Sequence, residues 1–139
     1  MEPKDLSFDA IAVNNTASFE RTISEKDVRA FAELTGDMNP LHLDETYAAE
    51  TPFKHRLVHG MLLGGLCSTL VGMYLPGKRC LYLGQTLVFK KPVFIGDTVH
   101  VEGVVTAKSI ATRILTIAVS IRKGEEDVVT GEATVQVLA

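Results

Sequence analysis

The sequence contains no tryptophan, and aromatic residues make up only 6% of its 139 positions. It also has no excess of positive charge, because 14 lysines and arginines stand against 17 aspartates and glutamates, a net charge of −3. A general nucleic-acid binder needs basic side chains along the phosphate backbone and often aromatic rings that stack on bases. The composition therefore predicts no nucleic-acid partner, although a few lysines or arginines suffice to bind one phosphorylated ligand.

Cysteines and long apolar segments are also scarce. The two cysteines, Cys67 and Cys80, cannot form the dense disulfide framework of small secreted domains, and we expect both to be reduced. The first residues are polar and lack the apolar stretch of a signal peptide. The longest uncharged run, residues 59–77, contains several glycines and falls short of the about 20 apolar residues that a membrane span requires. These absences predict a cytoplasmic protein, or a mature mitochondrial one, with no membrane partner.

The chain length fits one domain with one core over residues 1–139. Residues 16–23 favour a first strand. A helix is predicted to begin after Ser24, which is followed three positions later by an acidic residue, and to end at Gly36. Asp44 is expected to cap a short second helix. The first half of the chain is therefore predicted to be rich in helix.

The second half is predicted to form an apolar helix followed by an antiparallel sheet. Residues from Gly60 to Leu75 carry no charge, and a helix that is apolar on every side is expected to be buried. After Lys78, apolar residues recur at every second position in four segments, which is typical of strands with one buried face. The positions that we expect to face the core are Leu81, Leu83, Leu87, Phe89, Val99, Val101, Val105, Leu115, Ile117, Val119, Ile121, Val129, Ala133, Val135 and Val137. The predicted fold is α+β, with the sheet wrapped around the helix.

Asp37 and His42 form the first candidate for catalysis. They lie five positions apart across a bend that contains Pro40, and a bend can bring a carboxylate and an imidazole to one point. A water molecule between them would meet the groups that general acid–base addition or removal of water requires. The alternative is ordinary turn chemistry, because Asp after a glycine and Asn before a proline are both common in turns.

Gly60 is the second candidate, because its N–H opens a helix and has no partner within that helix. An amide there could bind a substrate carbonyl on which negative charge develops, or the glycine could serve packing alone. The remaining candidates are weaker. His55 and His59 are four positions apart but are flanked by proline and glycine, so we expect no metal site and a hydrogen bond from His59 to the loop. Nothing near Cys67 would lower the pKa of its thiol, so we expect it to pack in the core.

Two segments carry a resemblance to a known family. The segment FAELTGDMNPLH at residues 31–42 and VHGML at residues 58–62 resemble the hydratase 2 motif of the MaoC-like family. Residues 83–85 and 92–97 match the same family, so that the resemblance extends over nearly the whole chain. It implies a hot-dog fold and (R)-specific enoyl-CoA hydratase activity.

The resemblance also implies roles for individual residues. Asp37 and His42 match the catalytic pair that binds the reacting water, and Gly60 matches the glycine whose amide binds the thioester carbonyl. Ser68 matches a serine that lines the site, although a hydroxyl in a buried helix commonly bonds to the carbonyl of its own turn. From helical spacing we further expect Val71, one turn deeper than Ser68, to contact the distal acyl carbons.

We therefore predict a hydro-lyase that hydrates a trans-2-enoyl-CoA to an (R)-3-hydroxyacyl-CoA and catalyses the reverse dehydration. His42 would take a proton from water and Asp37 would deliver one to C2, or the two would exchange roles. No metal or redox cofactor is expected. The alternatives are a dehydratase of acyl-carrier-protein thioesters, a thioesterase and a non-catalytic acyl-CoA-binding module. Hot-dog proteins pair their sheets edge to edge, which covers open sheet edges, so a homodimer is expected.

Overall fold

The computed structural model describes all 139 residues and contains four α-helices and five strands. In chain order these are β1 (Thr16–Thr22), α1 (Glu25–Thr35), α2 (Pro40–Leu43), α3 (Glu45–Ala49), α4 (Gly60–Thr69), β2 (Cys80–Phe89), β3 (Thr98–Ser109), β4 (Ile114–Lys123) and β5 (Glu126–Val137). A short 3-10 turn precedes β1, and a π-helical segment (Leu70–Tyr74) continues α4. None of the helices combines the length and the apolar character that crossing a membrane would need.

Helices α1 and α3 begin where the sequence predicts, and α1 also ends at the predicted glycine, whereas the short helix α2 was not predicted. The Ser24 side chain accepts from the N–H of Asp27, whose carboxylate accepts from the N–H of Ser24 in return. This reciprocal pair is a capping box. Gly36 ends α1 in the left-handed conformation, with φ of 81°, which a residue without a side chain adopts at little cost. Asp44 caps α3 by accepting from the N–H of Tyr47. These local signals fix the position at which the chain leaves α1, and therefore the position of Asp37.

The five strands form one antiparallel sheet in the order β1-β3-β4-β5-β2, which places β1 and β2 at its edges. One face of the sheet packs on α4 and its π-helical continuation, and 23 buried apolar residues form a single core between them. Leu63, Cys67, Leu70 and Val71 are the side chains that α4 and its continuation contribute to this core, and Val28 is the one from α1. The predicted α+β architecture, with the sheet wrapped around one apolar helix, is confirmed.

Two details of the predicted helix are wrong. The chain does not continue as a regular α-helix to Leu75, because it widens at Leu70 and the N–H of Leu75 bonds the carbonyl of Leu70. The helix is also not buried on every side. Met61, Gly65 and Ser68 lie on a face that is exposed, since the sheet covers only the opposite face. An apolar helix face that a single chain leaves uncovered is typical of an interaction surface.

The predicted buried face of β2 is wrong in its first half. Leu81 and Leu83 are 48% and 49% exposed, whereas the neighbouring Tyr82 packs against the core. The reason is a bulge between Tyr82 and Gly84 in the pairing of β2 with β5, because one extra residue reverses which side chains face the core. After the bulge, Leu87 turns toward α4 as predicted. Phe89, also predicted to face the core, is 49% exposed, because its ring lies over Gly60 at the start of α4.

A substitution at Gly131 tests how closely the backbones of β2 and β5 approach each other. A Cβ atom at Gly131 of β5 would lie 1.9 Å from the carbonyl oxygen of Thr86 in β2, so the backbones would have to separate. We expect Gly131→Ala to lower the free energy of unfolding by about 1–3 kcal/mol or more, as overpacking does. Gly84→Ala, in the same strand pair but with no atom within 4 Å of the added Cβ, is the matched control. Urea unfolding that shows equal midpoints for the two variants would contradict this account.

Candidate active site

The site is built on the bend between α1 and α2, where Asp37 is held by its neighbours. One carboxylate oxygen of Asp37 accepts from the N–H of Asn39 at 3.2 Å, and the N–H of Asp37 donates to the Thr35 hydroxyl at 3.2 Å. Asn39 in turn caps α2 by accepting from the N–H of Leu41 at 3.0 Å. The carboxyl group of Asp37 is therefore fixed through one oxygen, is half-exposed, and has its second oxygen free to act on a bound molecule.

His42 lies on α2 in a defined tautomer. Its Nδ1 is 2.8 Å from the carbonyl oxygen of Leu57. A carbonyl can only accept, so Nδ1 carries the proton, and Nε2 of the neutral ring is left as a bare acceptor. Leu57 is itself fixed, because its N–H bonds the Leu41 carbonyl and it bridges to Phe94. The imidazole is thus oriented with its basic nitrogen away from the backbone that holds it.

Arg56 holds the backbone of His42 from the other side. Its Nε donates to the His42 carbonyl oxygen at 2.7 Å, and a second guanidinium nitrogen contacts the Glu25 carboxylate at 2.7 Å. Arg56 is largely buried, and its hydrogen bond holds the pKa of the Glu25 carboxyl below its usual range. The sequence analysis did not single out Arg56, because its partners are 14 and 31 positions away along the chain and no local pattern marks such contacts.

His59, at the start of α4, connects the two candidate catalytic residues. Its Nε2 donates to the backbone carbonyl of Asp37 at 3.1 Å, which confirms the predicted hydrogen bond to the loop. Its ring stacks on the ring of His42 with centroids 3.9 Å apart, and Phe31 packs against it at 4.8 Å. His59 is only 2% exposed, and burial lowers the pKa of its ring. We therefore describe it as a neutral ring that supports both Asp37 and His42.

The structure brings Asp37 and His42 together as predicted from their spacing. The carboxylate of Asp37 and ring nitrogens of His42 and His59 all lie within 4.8 Å of one another. Such a group could in principle hold a metal ion. However, the Nε2 of His59, which is 3.9 Å from the Asp37 carboxylate, already carries the proton that it donates to the Asp37 carbonyl. Because the Asp37 carboxylate and the His42 ring nitrogen lie within 4.8 Å of each other, one water molecule can hydrogen-bond to both.

Gly60 places an unpaired amide beside this pair. As the first residue of α4 it has no partner for its N–H within the helix, and no other group of the chain accepts from it. The N–H also lies at the positive end of the helix dipole. A Cβ atom at Gly60 would come within 3.0 Å of the Phe89 ring, so the absence of a side chain lets Phe89 close over the helix start.

These groups open into one cavity of about 500 Å³, which is within the usual size of small-molecule sites. Half of its lining residues are hydrophobic, and Asp37 is the sole carboxylate among them. The lining residues are Asp37, His42, Phe53, Leu57, Val58, His59, Gly60, Met61, Leu63, Phe89, Lys90, Lys91, Pro92 and Val93. The chain thus combines a short polar cluster with a mainly apolar chamber.

Two predicted binding residues do not reach this cavity. Ser68 lies on the exposed face of α4, and Val71 is fully buried in the core. Val71 follows Cys67 by four positions, so helical geometry places it on the face that packs against the sheet rather than on the face of Ser68. The roles of Ser68 and Val71 in substrate binding stay predictions. Cys67 packs in the core as expected, and burial raises the pKa of its thiol to about 11, so it is no nucleophile at neutral pH.

The sequence analysis missed several residues that line the cavity. Phe89 is the last residue of β2, and Phe53, Lys90 and Lys91 come from irregular segments. They meet the start of α4 only because β2 lies next to the helix in the folded chain. The family resemblance at residues 92–97 was the one available signal near them, and it indicated a strand region rather than a site.

Comparison with known proteins gives one consistent result. Residues 10–129 match the model of the MaoC like domain. The chain is 46% identical to the (R)-specific enoyl-CoA hydratase of Aeromonas caviae, over 94% of this chain and 98% of that protein. It is 43% identical to the 3-hydroxybutyryl-CoA dehydratase of Methylorubrum extorquens, over 98% and 87% respectively. The solved structure of R-hydratase PhaJ1 from Pseudomonas aeruginosa superposes with a TM-score of 0.93 at 38% identity, over 98% and 88%.

The burial of His59 generates a prediction about stability and pH. Because burial lowers the pKa of its ring from the ordinary value of 6.5, the unfolded chain binds a proton more readily than the folded protein below that pH. The free energy of unfolding therefore includes the full contribution of the neutral His59 ring above pH 6.5, and this contribution decreases as the pH falls below 6.5. In His59→Phe this loss is absent, so the stability difference between wild type and variant should change as the pH falls from about 7.5 to about 5.

Urea unfolding at several pH values measures this difference, and the wild type should lose more stability on acidification than His59→Phe does. Replacement of the exposed His55 by Phe controls for the loss of one histidine. Parallel stability curves for wild type and His59→Phe would contradict the role assigned to burial of His59.

Proposed function

Because the chain belongs to the MaoC-like family and has its hot-dog fold, we propose that it is an (R)-specific enoyl-CoA hydratase. As a hydro-lyase it adds water to a trans-2-enoyl-CoA to form an (R)-3-hydroxyacyl-CoA, and it catalyses the reverse dehydration. The observation that carries the proposal is the joint placement of Asp37, His42 and the free Gly60 amide in one mainly apolar cavity. The reaction requires no redox cofactor, because addition of water changes no overall oxidation state.

The Gly60 amide binds the carbonyl oxygen of the thioester. When water attacks C3 of the enoyl group, negative charge moves through the conjugated system onto that oxygen. The unpaired N–H and the positive end of α4 stabilise this charge. Apolar side chains, among them Phe89 and Leu63, surround Gly60, and in apolar surroundings a hydrogen bond to a developing charge is stronger. The amide therefore lowers the barrier to the attack.

His42 acts as the general base in hydration. Its Nδ1 proton is held on the Leu57 carbonyl, so Nε2 is the atom that takes a proton from water as the water oxygen bonds to C3. Asp37, in the protonated form, delivers its proton to C2. The proton left on His42 then returns to Asp37, which restores both groups. One water molecule thus supplies the hydroxyl at C3 and the proton that replaces the one Asp37 gave to C2.

Substitution of the two residues tests the mechanism. Asp37→Asn and His42→Gln keep the shape of each side chain but remove its proton chemistry, so each should lower kcat by about 10²–10⁴. The loss of absorbance of crotonyl-CoA measures hydration, and chiral analysis of the product measures its configuration. His55→Gln, an exposed histidine outside the cavity, is the control. Activity equal to wild type in either Asp37→Asn or His42→Gln, or an (S) product, would refute the proposal.

The exposed edge of the sheet supports a further part of the proposal, a homodimer. β2 is an edge strand, and Leu81, Leu83 and Val88 on it are each about half exposed. Open edges with apolar side chains favour pairing with another strand. A second copy that covers β2 would satisfy its free backbone groups and bury these side chains. A cytoplasmic location is proposed with it, since the relatives matched over most of the chain come from bacteria.

Sedimentation velocity tests the dimer and its interface. The wild type should sediment at twice the chain mass of 15.1 kDa at micromolar concentration. Leu83→Lys places a charge in the proposed interface and should shift the population toward monomer. Ile110→Lys changes an apolar residue that is 85% exposed on the turn between β3 and β4, so it should leave the dimer intact. A monomeric wild type, or equal effects of the two variants, would contradict the proposed interface.

A further inference from the structure

Two adjacent lysines extend from the rim of the cavity. Lys90 and Lys91 follow β2 directly and line the cavity together with Phe89. Their backbone is fixed, because the N–H groups of both bond the carbonyl of Val128. Their side chains are exposed and take part in no salt bridge or hydrogen bond of the chain. The rim therefore carries two positive charges on a rigid support, without a compensating partner.

This local charge contrasts with the rest of the molecule. The chain as a whole has a net charge of −3, and many of its other cations are neutralised by carboxylates, as Arg56 is by Glu25 and Lys123 by Asp97. Asp37, the sole carboxylate that lines the cavity, belongs to the catalytic cluster. An anion at the cavity rim thus meets two lysines that no carboxylate of the chain neutralises.

The size of the cavity indicates which part of a ligand lies beside the lysines. A volume of about 500 Å³ accommodates a short enoyl chain and its thioester group, but a complete CoA molecule is much larger. The rest of the carrier must therefore cross the rim. The charged groups of CoA are its diphosphate and its 3′-phosphate, which are at the end remote from the thioester. Lysine ammonium groups on flexible stems bind phosphate as point charges.

We propose that Lys90 and Lys91 form the subsite that binds the phosphate groups of the CoA carrier, and so select CoA thioesters over thioesters without these phosphates. The inference rests on the proposed function, since it takes the thioester to lie at Gly60 and the carrier to leave past the lysines. A carrier-protein thioester offers a single phosphodiester on its pantetheine arm. It therefore gains less from two free lysines than CoA does.

The experiment compares two substrates that share the crotonyl-pantetheine part, one of which also carries the diphosphate and the 3′-phosphorylated adenosine of CoA. The value of kcat/KM is measured with crotonyl-CoA and with crotonyl-pantetheine, and the ratio of the two is the carrier preference. We expect Lys90→Ala/Lys91→Ala to lower this ratio about tenfold, the effect of about 1.4 kcal/mol of lost interaction. The loss should lie mainly in KM for crotonyl-CoA. Added salt should lower kcat/KM for crotonyl-CoA more steeply in the wild type than in the double variant.

Lys26→Ala is the matched control, because Lys26 is an exposed lysine on α1 without a salt bridge and outside the cavity. An unchanged carrier preference in the double variant would overturn the inference. So would a greater loss with crotonyl attached to an acyl carrier protein than with crotonyl-CoA, because the lysines would then bind the carrier protein. Calorimetric binding of CoA itself, in wild type and double variant, separates this inference from the proposed function. If the wild type hydrates neither substrate but loses CoA affinity with the lysines, the function fails and the subsite stands.

Discussion

The buried ring of His59 is the contact on which the site depends. It joins the bend after α1 to the first turn of α4, next to the contacts that Leu57 and Arg56 make with α2. Its hydrogen bond fixes the Asp37 backbone, and its stacking fixes the plane of the His42 ring. Because Gly60 follows His59 directly, the same residue also sets the distance from the catalytic pair to the free amide. A shift of His59 would thus move acid, base and amide relative to one another, and catalysis is sensitive to displacements of this size.

The distance along the chain between interacting residues explains which features could be predicted from the sequence. The capping box at Ser24, the end of α1 at Gly36 and the Asp44 cap are interactions between residues a few positions apart, so their signal is local. The proximity of Asp37 and His42 follows from the bend between them and was also predicted. By contrast, Arg56 reaches Glu25 and His42 through the fold, and no pattern in the sequence marks a contact over such separations.

The incorrect predictions have a common physical cause. An alternating apolar pattern predicts which side chains face the core only if the strand pairs with its neighbour in regular register. In β2 the pairing with β5 is interrupted by the bulge between Tyr82 and Gly84, which the pattern does not reveal. The apolar sequence of α4 likewise predicts that its residues are buried, but it does not indicate which part of the protein covers them. In one chain the sheet covers the face of Leu63 and Cys67, and the face of Met61 and Ser68 is left exposed. Both errors leave apolar side chains on the surface of the single chain, and the second copy is proposed to cover those on β2.

The neutral state of His59 has a consequence for the chemistry of His42. In hydration, His42 becomes an imidazolium when it takes a proton from water. Its ring is 3.9 Å from that of His59, so a second positive charge there would oppose the transfer strongly. Burial of His59 is the main cause of its lowered pKa, and the neighbouring His42 acts in the same direction. The carbonyl of Asp37 needs only the single Nε2 proton of the neutral ring. The buried, neutral His59 therefore still donates the hydrogen bond that orients Asp37. Because it carries no charge, the positive charge that forms during the reaction is on His42 alone.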